Sequence, residues 1–154
     1  MTWMLIAGTL VVAALVGPAA SGGADEAATR VHPDIAYALR AVPGGTQIDE
    51  ETVVWPHLDM RLDVVDARAR AVGSCATGAH CAYRNSGMGG SKLTWTSCLS
   101  SHSTAALATV GSIANARSSG STQARTAGGT VLATASAGNW TDVSGTTDNI
   151  RCTA

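Results

Sequence analysis

The sequence predicts an all-β domain, a sandwich of short strands tied by disulfides, with a short helix and a β-hairpin ahead of it. Three observations lead there. From Cys75 onward Gly, Ser, Thr and Ala dominate, and apolar pieces recur without helical periodicity at Ala82-Tyr83, Leu93 to Trp95, Val110 to Ile113, Val131 to Ala133 and Ile150. The same region repeats itself. Gly89-Gly90-Ser91-Lys92-Leu93 is echoed by Gly128-Gly129-Thr130-Val131-Leu132, and Ser112-Ile113-Ala114-Asn115 by Asn149-Ile150-Arg151-Cys152, at offsets of 39 and 37. Finally, four cysteines fit two bridges formed in an oxidising compartment.

The first 23 residues read as a signal peptide. Met4 to Val16 is almost wholly apolar, and Gly17-Pro18-Ala19-Ala20-Ser21 supplies a helix stop with small residues suited to cleavage between Ala19 and Ala24. A membrane span needs about 20 apolar residues, so this run is too short and no anchor is expected after cleavage. No cysteine lies near the cleavage region to carry a lipid. The expected product is a secreted, extracellular protein of about 130 residues, enough for one ordinary domain.

Residues 24–32 read as a disordered mature N-terminus, and residues 33–74 as a helix-plus-hairpin extension. Pro33 opens a helix of about two turns with Ile35, Ala38 and Leu39 on one face, and Pro43-Gly44-Gly45 closes it. Thr52-Val53-Val54-Trp55 is rich in β-formers, whereas Met60-Arg61-Leu62-Asp63-Val64 alternates apolar and polar. Those are the arms of a hairpin joined by Pro56-His57-Leu58-Asp59. Asp66 to Arg70 reads as a charged connector to the sandwich of residues 75–154.

Net charge is −1, which argues against a nucleic-acid or anionic-membrane partner, but the charge is unevenly spread. Residues 24 to 74 carry nine acids against five arginines, while residues 75 to 154 carry five bases against Asp142 and Asp148. Either these are two solvated faces, or the acidic first part lies against the basic repeat unit.

Four cysteines allow three connectivities, and the pairing favoured is Cys75 with Cys81 and Cys98 with Cys152. The second pair would tie the end of one repeat to the end of the other. Such cross-links matter because Phe is absent and much of the apolar content is Ala and Val. That makes a thin core.

Tyr83, Gly90 and Ser112 acquire a mechanical meaning in one kind of sandwich. In the βγ-crystallin Greek key a hairpin folds over its sheet, an aromatic packs on a glycine of positive φ, and a hydroxyl bonds the folded-over backbone. The run Cys75, Gly78, Cys81-Ala82-Tyr83, Gly90, Leu93, Trp95, Cys98 and Ser112-Ile113-Ala114-Asn115 resembles the secreted actinomycete peptidase inhibitors on a βγ-crystallin-like domain, metalloproteinase-inhibitor type, the family numbered thirty-six among inhibitors. The resemblance covers about half the chain and implies a double Greek key. The second repeat departs from it. Gln123-Ala124 stands where an aromatic is expected, so that hairpin should be less firmly held.

No cofactor and no metal are expected. Calcium-binding crystallins carry paired Asp or Asn shortly before a serine pair, but here Leu107-Ala108 precede Gly111-Ser112, and Asp148-Asn149 precede Arg151-Cys152. Catalytic residues are likewise not expected. His32, His57, His80 and His102 are scattered, no zinc-spaced histidine pair or glycine-flanked nucleophilic serine occurs, and the cysteines are assigned to disulfides. His80 is read as a solvent-facing turn residue, and Trp55, Trp95 and Trp140 as core. The Asn139-Trp140-Thr141 glycosylation triplet is read as accidental in a chain of bacterial character.

The expected function is inhibition of an extracellular metallo- or serine peptidase by a monomer. The loop Thr96-Ser97-Cys98-Leu99-Ser100-Ser101 is the candidate contact, because a disulfide at Cys98 would brace it and Leu99 could enter an apolar pocket. The alternative is a non-inhibitory envelope or matrix binding module on the same sandwich. Fold alone does not choose between them.

Overall fold

The computed structural model describes residues 31–65, 75–98 and 101–153. The expected signal peptide, most of the expected N-terminal segment and the expected charged connector lie outside those residues. Helix α1 spans Pro33–Ala41, with Pro33 in the first turn, where its missing N–H costs nothing. The His32 imidazole caps it, Nδ1 accepting the Asp34 N–H at 3.1 Å. Ile35 and Ala38 are buried and Leu39 is partly buried, the face that the apolar spacing predicts.

Strand β1 (Thr46–Gln47) pairs with β2 (Thr52–Trp55). A 3-10 turn over Pro56–Leu58 then leads into β3 (Met60–Asp63), which completes the expected hairpin with Trp55 opposite Met60. Helix and hairpin are fastened by one side chain. The Trp55 indole donates to the Val42 carbonyl at 2.9 Å, and its ring lies so close to Gly45 that a Cβ there would come within 2.5 Å of it.

Beyond Cys75 come β4 (His80–Asn85), β5 (Gly89–Trp95), β6 (Ser101–Ser103), β7 (Ser112–Asn115), β8 (Ser121–Arg125), β9 (Val131–Ser136), β10 (Asn139–Asp142) and β11 (Asn149–Thr153). Two antiparallel sheets result, one ordered β1-β2-β3-β5-β4-β7-β10 and the other β6-β11-β8-β9. The hairpin therefore extends the first sheet through the β3–β5 pairing. The two repeats also exchange strands. β6, from the first repeat, pairs with β11, and β10, from the second, pairs with β7. Neither repeat completes a four-strand sheet alone.

A single cluster of buried side chains joins helix, hairpin and both sheets, from Ile35, Trp55 and Leu62 through Leu93, Trp95 and Ile113 to Ala124 and Ile150. Trp55 and Trp95 are its largest members. Both favoured disulfides are present, Cys75–Cys81 and Cys98–Cys152. By loop-closure entropy, separations of 6 and 54 residues correspond to about 2 and about 4 kcal/mol of stabilisation.

The folded hairpin between β4 and β5 is held by Ser112, whose Oγ accepts the Met88 N–H at 2.9 Å and donates to the Asn85 carbonyl at 2.8 Å. Gly90 has φ +71°, and its missing side chain makes room for the Asn85 amide. Tyr83 belongs to a smaller buried cluster with Cys81, Ala114, Met88 and Cys75. In the second repeat Asn149 stands where Ser112 stands in the first. Its amide donates to the Thr126 carbonyl at 3.3 Å, and Asp148 accepts the Ala127 N–H at 2.7 Å. The strand register puts Arg125 opposite Asn149, as Tyr83 is opposite Ser112, so Arg125 rather than Gln123-Ala124 takes the aromatic's place.

The charge split corresponds to contacts at two points. Asp34 pairs with Arg84 and accepts the Ser91 hydroxyl, while Asp63 lies 3.7 Å from Lys92. Asp49, Glu50 and Glu51 remain exposed. Among Asp34, Arg84, Asp63 and Lys92, only Arg84 is substantially exposed; Asp34, Asp63 and Lys92 are largely covered.

Candidate functional site

Strand β5 ends at the buried Trp95, and the chain that leaves it is held from three directions. Asp59 closes the hairpin connection in a left-handed conformation, φ +49°, which Asp tolerates better than most residues. From there its carboxylate reaches the outgoing chain. It accepts the Thr96 N–H at 2.9 Å, the Thr96 hydroxyl at 2.8 Å and the Ser97 N–H at 2.5 Å. Burial raises the Asp59 pKa, but the hydrogen bonds from Ser97 and Thr96 outweigh it and hold the carboxyl below the usual range. The Ser97 carbonyl meets His102 Nε2 at 3.2 Å, and Cys98 is bonded to Cys152 on β11.

Beside this segment lies an open pocket of about 470 Å³, with Val42, Pro56, Leu58, Met60, Trp95 and His102 in its wall. Trp95 and His102 belong to a three-ring cluster with His80. Ring centroids are 5.8 Å apart for His80 and Trp95, which stack, 5.2 Å for His80 and His102, and 5.4 Å for Trp95 and His102. His80 is thus not the solvent-facing turn residue expected from sequence. It opens β4 and is completely buried, because its strand position points the ring between the two sheets. Neither ring nitrogen has a hydrogen-bond partner among the described residues. Burial, together with the charges of His102 and Arg117, pushes its pKa down to about 4. His102 is also lowered, chiefly by burial and partly offset by its bond to Ser97.

Of the candidate inhibitory loop, Ser97 and Cys98 lie in the fastened segment and are half-buried; Leu99 and Ser100 fall outside the described residues. Asn115 is buried and holds the turn between β7 and β8, its amide donating to the Gly120 carbonyl at 3.2 Å and its oxygen accepting the Arg117 N–H at 3.2 Å.

Comparison with family models, curated proteins and solved structures finds no match for this chain. Asp59, His102 and Gly111 matter to the site and its scaffold, and none was singled out from sequence for these roles. A Cβ at Gly111 would come within 2.4 Å of the Asn85 backbone, so the folded hairpin requires glycine there. Trp140 also differs from expectation. It is 47% exposed, since its register opposite Ala114 on edge strand β10 puts it on the sheet face away from the main core.

Proposed function

We propose that the mature chain is a secreted inhibitor of an extracellular metallo- or serine peptidase, presenting the segment that follows β5 on a βγ-crystallin-like double Greek key. The reading draws on the resemblance to the secreted actinomycete inhibitors. The carrying observation is the fastening of Thr96, Ser97 and Cys98 by the Asp59 carboxylate, His102 and the Cys98–Cys152 bridge. A peptidase binds an extended segment in its cleft, and ordering that segment costs about 0.5–1.5 kcal/mol for each flexible side chain immobilised. Fastening before binding removes much of that cost. Reciprocal exchange of β6 and β10 between the repeats supports the double Greek key, as do the positive φ at Gly90 and the Ser112 clasp.

The second reading is an envelope or matrix binding module, favoured by the half-exposed Trp140 on edge strand β10. The deciding experiment titrates thermolysin-type and subtilisin-type peptidases with the oxidised secreted protein. Stoichiometric loss of peptidase activity, weakened by Asp59→Ala, supports inhibition. No loss against either class, with retention on cell-wall preparations that Trp140→Ala abolishes, supports the binding module.

A further inference from the structure

The two disulfides are built alike in one respect and differently in another. Each joins a half-buried cysteine, Cys75 or Cys98, to a buried one, Cys81 or Cys152. The surroundings of the buried sulfur are opposite in character. Cys81 sits in an apolar cluster with Tyr83, Ala114 and Met88, with the Thr94 hydroxyl 3.6 Å from its sulfur. Cys152 instead receives a hydrogen bond from the Arg117 guanidinium, Nη1 to Sγ at 3.2 Å. Arg117 makes no salt bridge to an acid among the described residues, so its charge is not neutralised there.

We infer that Cys98–Cys152 is a thiol-exchange site, opened by a dithiol reductant that attacks Cys98 and expels Cys152, while Cys75–Cys81 is a permanent structural bond. The reductant's thiolate attacks the more accessible Cys98 sulfur. A new sulfur–sulfur bond forms there as the old one breaks, and Cys152 leaves with the electron pair as a thiolate facing Arg117. The reductant's second thiolate then displaces Cys98, so the protein gains two electrons and the reductant becomes a cyclic or intramolecular disulfide. A leaving thiol of lower pKa leaves faster, and a neighbouring guanidinium lowers thiol pKa. The same attack on Cys75 would expel Cys81 into apolar surroundings, which raise its pKa and slow the step. Opening the long bridge frees the β5–β6 connection from β11, although Asp59 still holds Thr96 and Ser97.

The inference is independent of peptidase inhibition, because its readout is the bond. The oxidised secreted protein is exposed to dithiothreitol under native conditions, quenched with an alkylating reagent over time, and mapped by peptide mass. Cys98 and Cys152 should be labelled well before Cys75 and Cys81. Arg117→Gln should slow their labelling roughly 3- to 10-fold, because the leaving thiolate loses its neighbouring cation, whereas Arg117→Lys should keep most of the rate. Simultaneous opening of both bonds, or an unchanged rate in Arg117→Gln, overturns the inference. Should that variant not fold, glutathione trapping of the unaltered protein decides instead. The mixed disulfide is expected on Cys98, and an adduct on Cys152 would overturn the assigned direction of attack.

Discussion

The Asp59 carboxylate accepts the backbone N–H of Ser97 across 38 residues of sequence, joining the tip of the N-terminal hairpin to the chain that leaves β5. The same carboxylate accepts Thr96 through both N–H and hydroxyl. The hairpin extension thereby helps to shape the candidate contact segment.

Asp59→Ala should destabilise the protein by about 1–2 kcal/mol, because two backbone donors lose a charged acceptor but are exposed enough to be partly rehydrated. Asp59→Asn keeps a residue that tolerates positive φ and should cost less. Urea titration of both variants separates the loss of charge from the loss of conformational fit. Equal costs would show that the carboxylate, not the conformational fit, dominates.

His80 makes stability fall on acidification before the carboxylates do. In the unfolded chain its pKa is 6.5 and in the folded protein about 4, so between those values the unfolded state binds more protons. The contribution is complete above pH 6.5 and is lost as pH falls towards 4. A gap of this size corresponds to on the order of 3 kcal/mol. Thermal melts across this range should show the slope, and His80→Leu should flatten it. A slope unchanged in His80→Leu would assign the pH dependence elsewhere, with His102 the next candidate. Asp59, whose pKa is lowered, contributes stability above the ordinary carboxyl value of 3.8 and loses it only at lower pH.

Gly111→Ala should be among the most disruptive single-methyl changes in the chain. Its Cβ would meet the Asn85 and Ser86 backbone at 2.4–2.6 Å, and backbone cannot rotate aside. A cost of about 2–3 kcal/mol follows from overpacking. Gly78→Ala is the control, since open space surrounds that position and only its φ of +84° resists substitution, at about 1–2 kcal/mol. Denaturant midpoints of the two variants should rank in that order.

Ser112→Ala removes both bonds that clasp the first folded hairpin and leaves the Asn85 carbonyl and Met88 N–H without that partner, for about 2 kcal/mol. Asn149→Ala removes a longer bond to the Thr126 carbonyl and an exposed one that its oxygen accepts from the Ser101 hydroxyl at 2.8 Å, and should cost less, about 1 kcal/mol. Hydrogen exchange should report the difference locally, at the β4–β5 tip for one variant and the β8–β9 tip for the other.

Much of this scaffold was legible. The Pro33 helix and the Thr52 to Val64 hairpin follow from residue types and short spacings, whereas four cysteines left three connectivities open and the structure has the favoured one. Ser112 and Gly90 stood out because a hydroxyl clasp and a positive φ each need a particular residue. The Asp59 clasp was not legible, since an Asp after Pro56-His57-Leu58 reads as an ordinary turn residue until the partner strand is in place. Trp140 and His80 were misjudged for one reason. Residue type sets how much apolar surface is available, but the sheet neighbour decides whether that surface is covered.

By itself, therefore, the sequence determined the kinds of element, the turns that need glycine, and a chain held together by two bridges and a core poor in large side chains. These depend on backbone sterics and short-range periodicity, which each residue carries with it. Only the tertiary structure decided that the repeats exchange β6 and β10, that His80 is buried between Trp95 and His102, and that Arg117 faces the Cys152 sulfur. Those contacts join residues brought together by strand order, and strand order is set by how the two half-sheets cover one another's apolar faces.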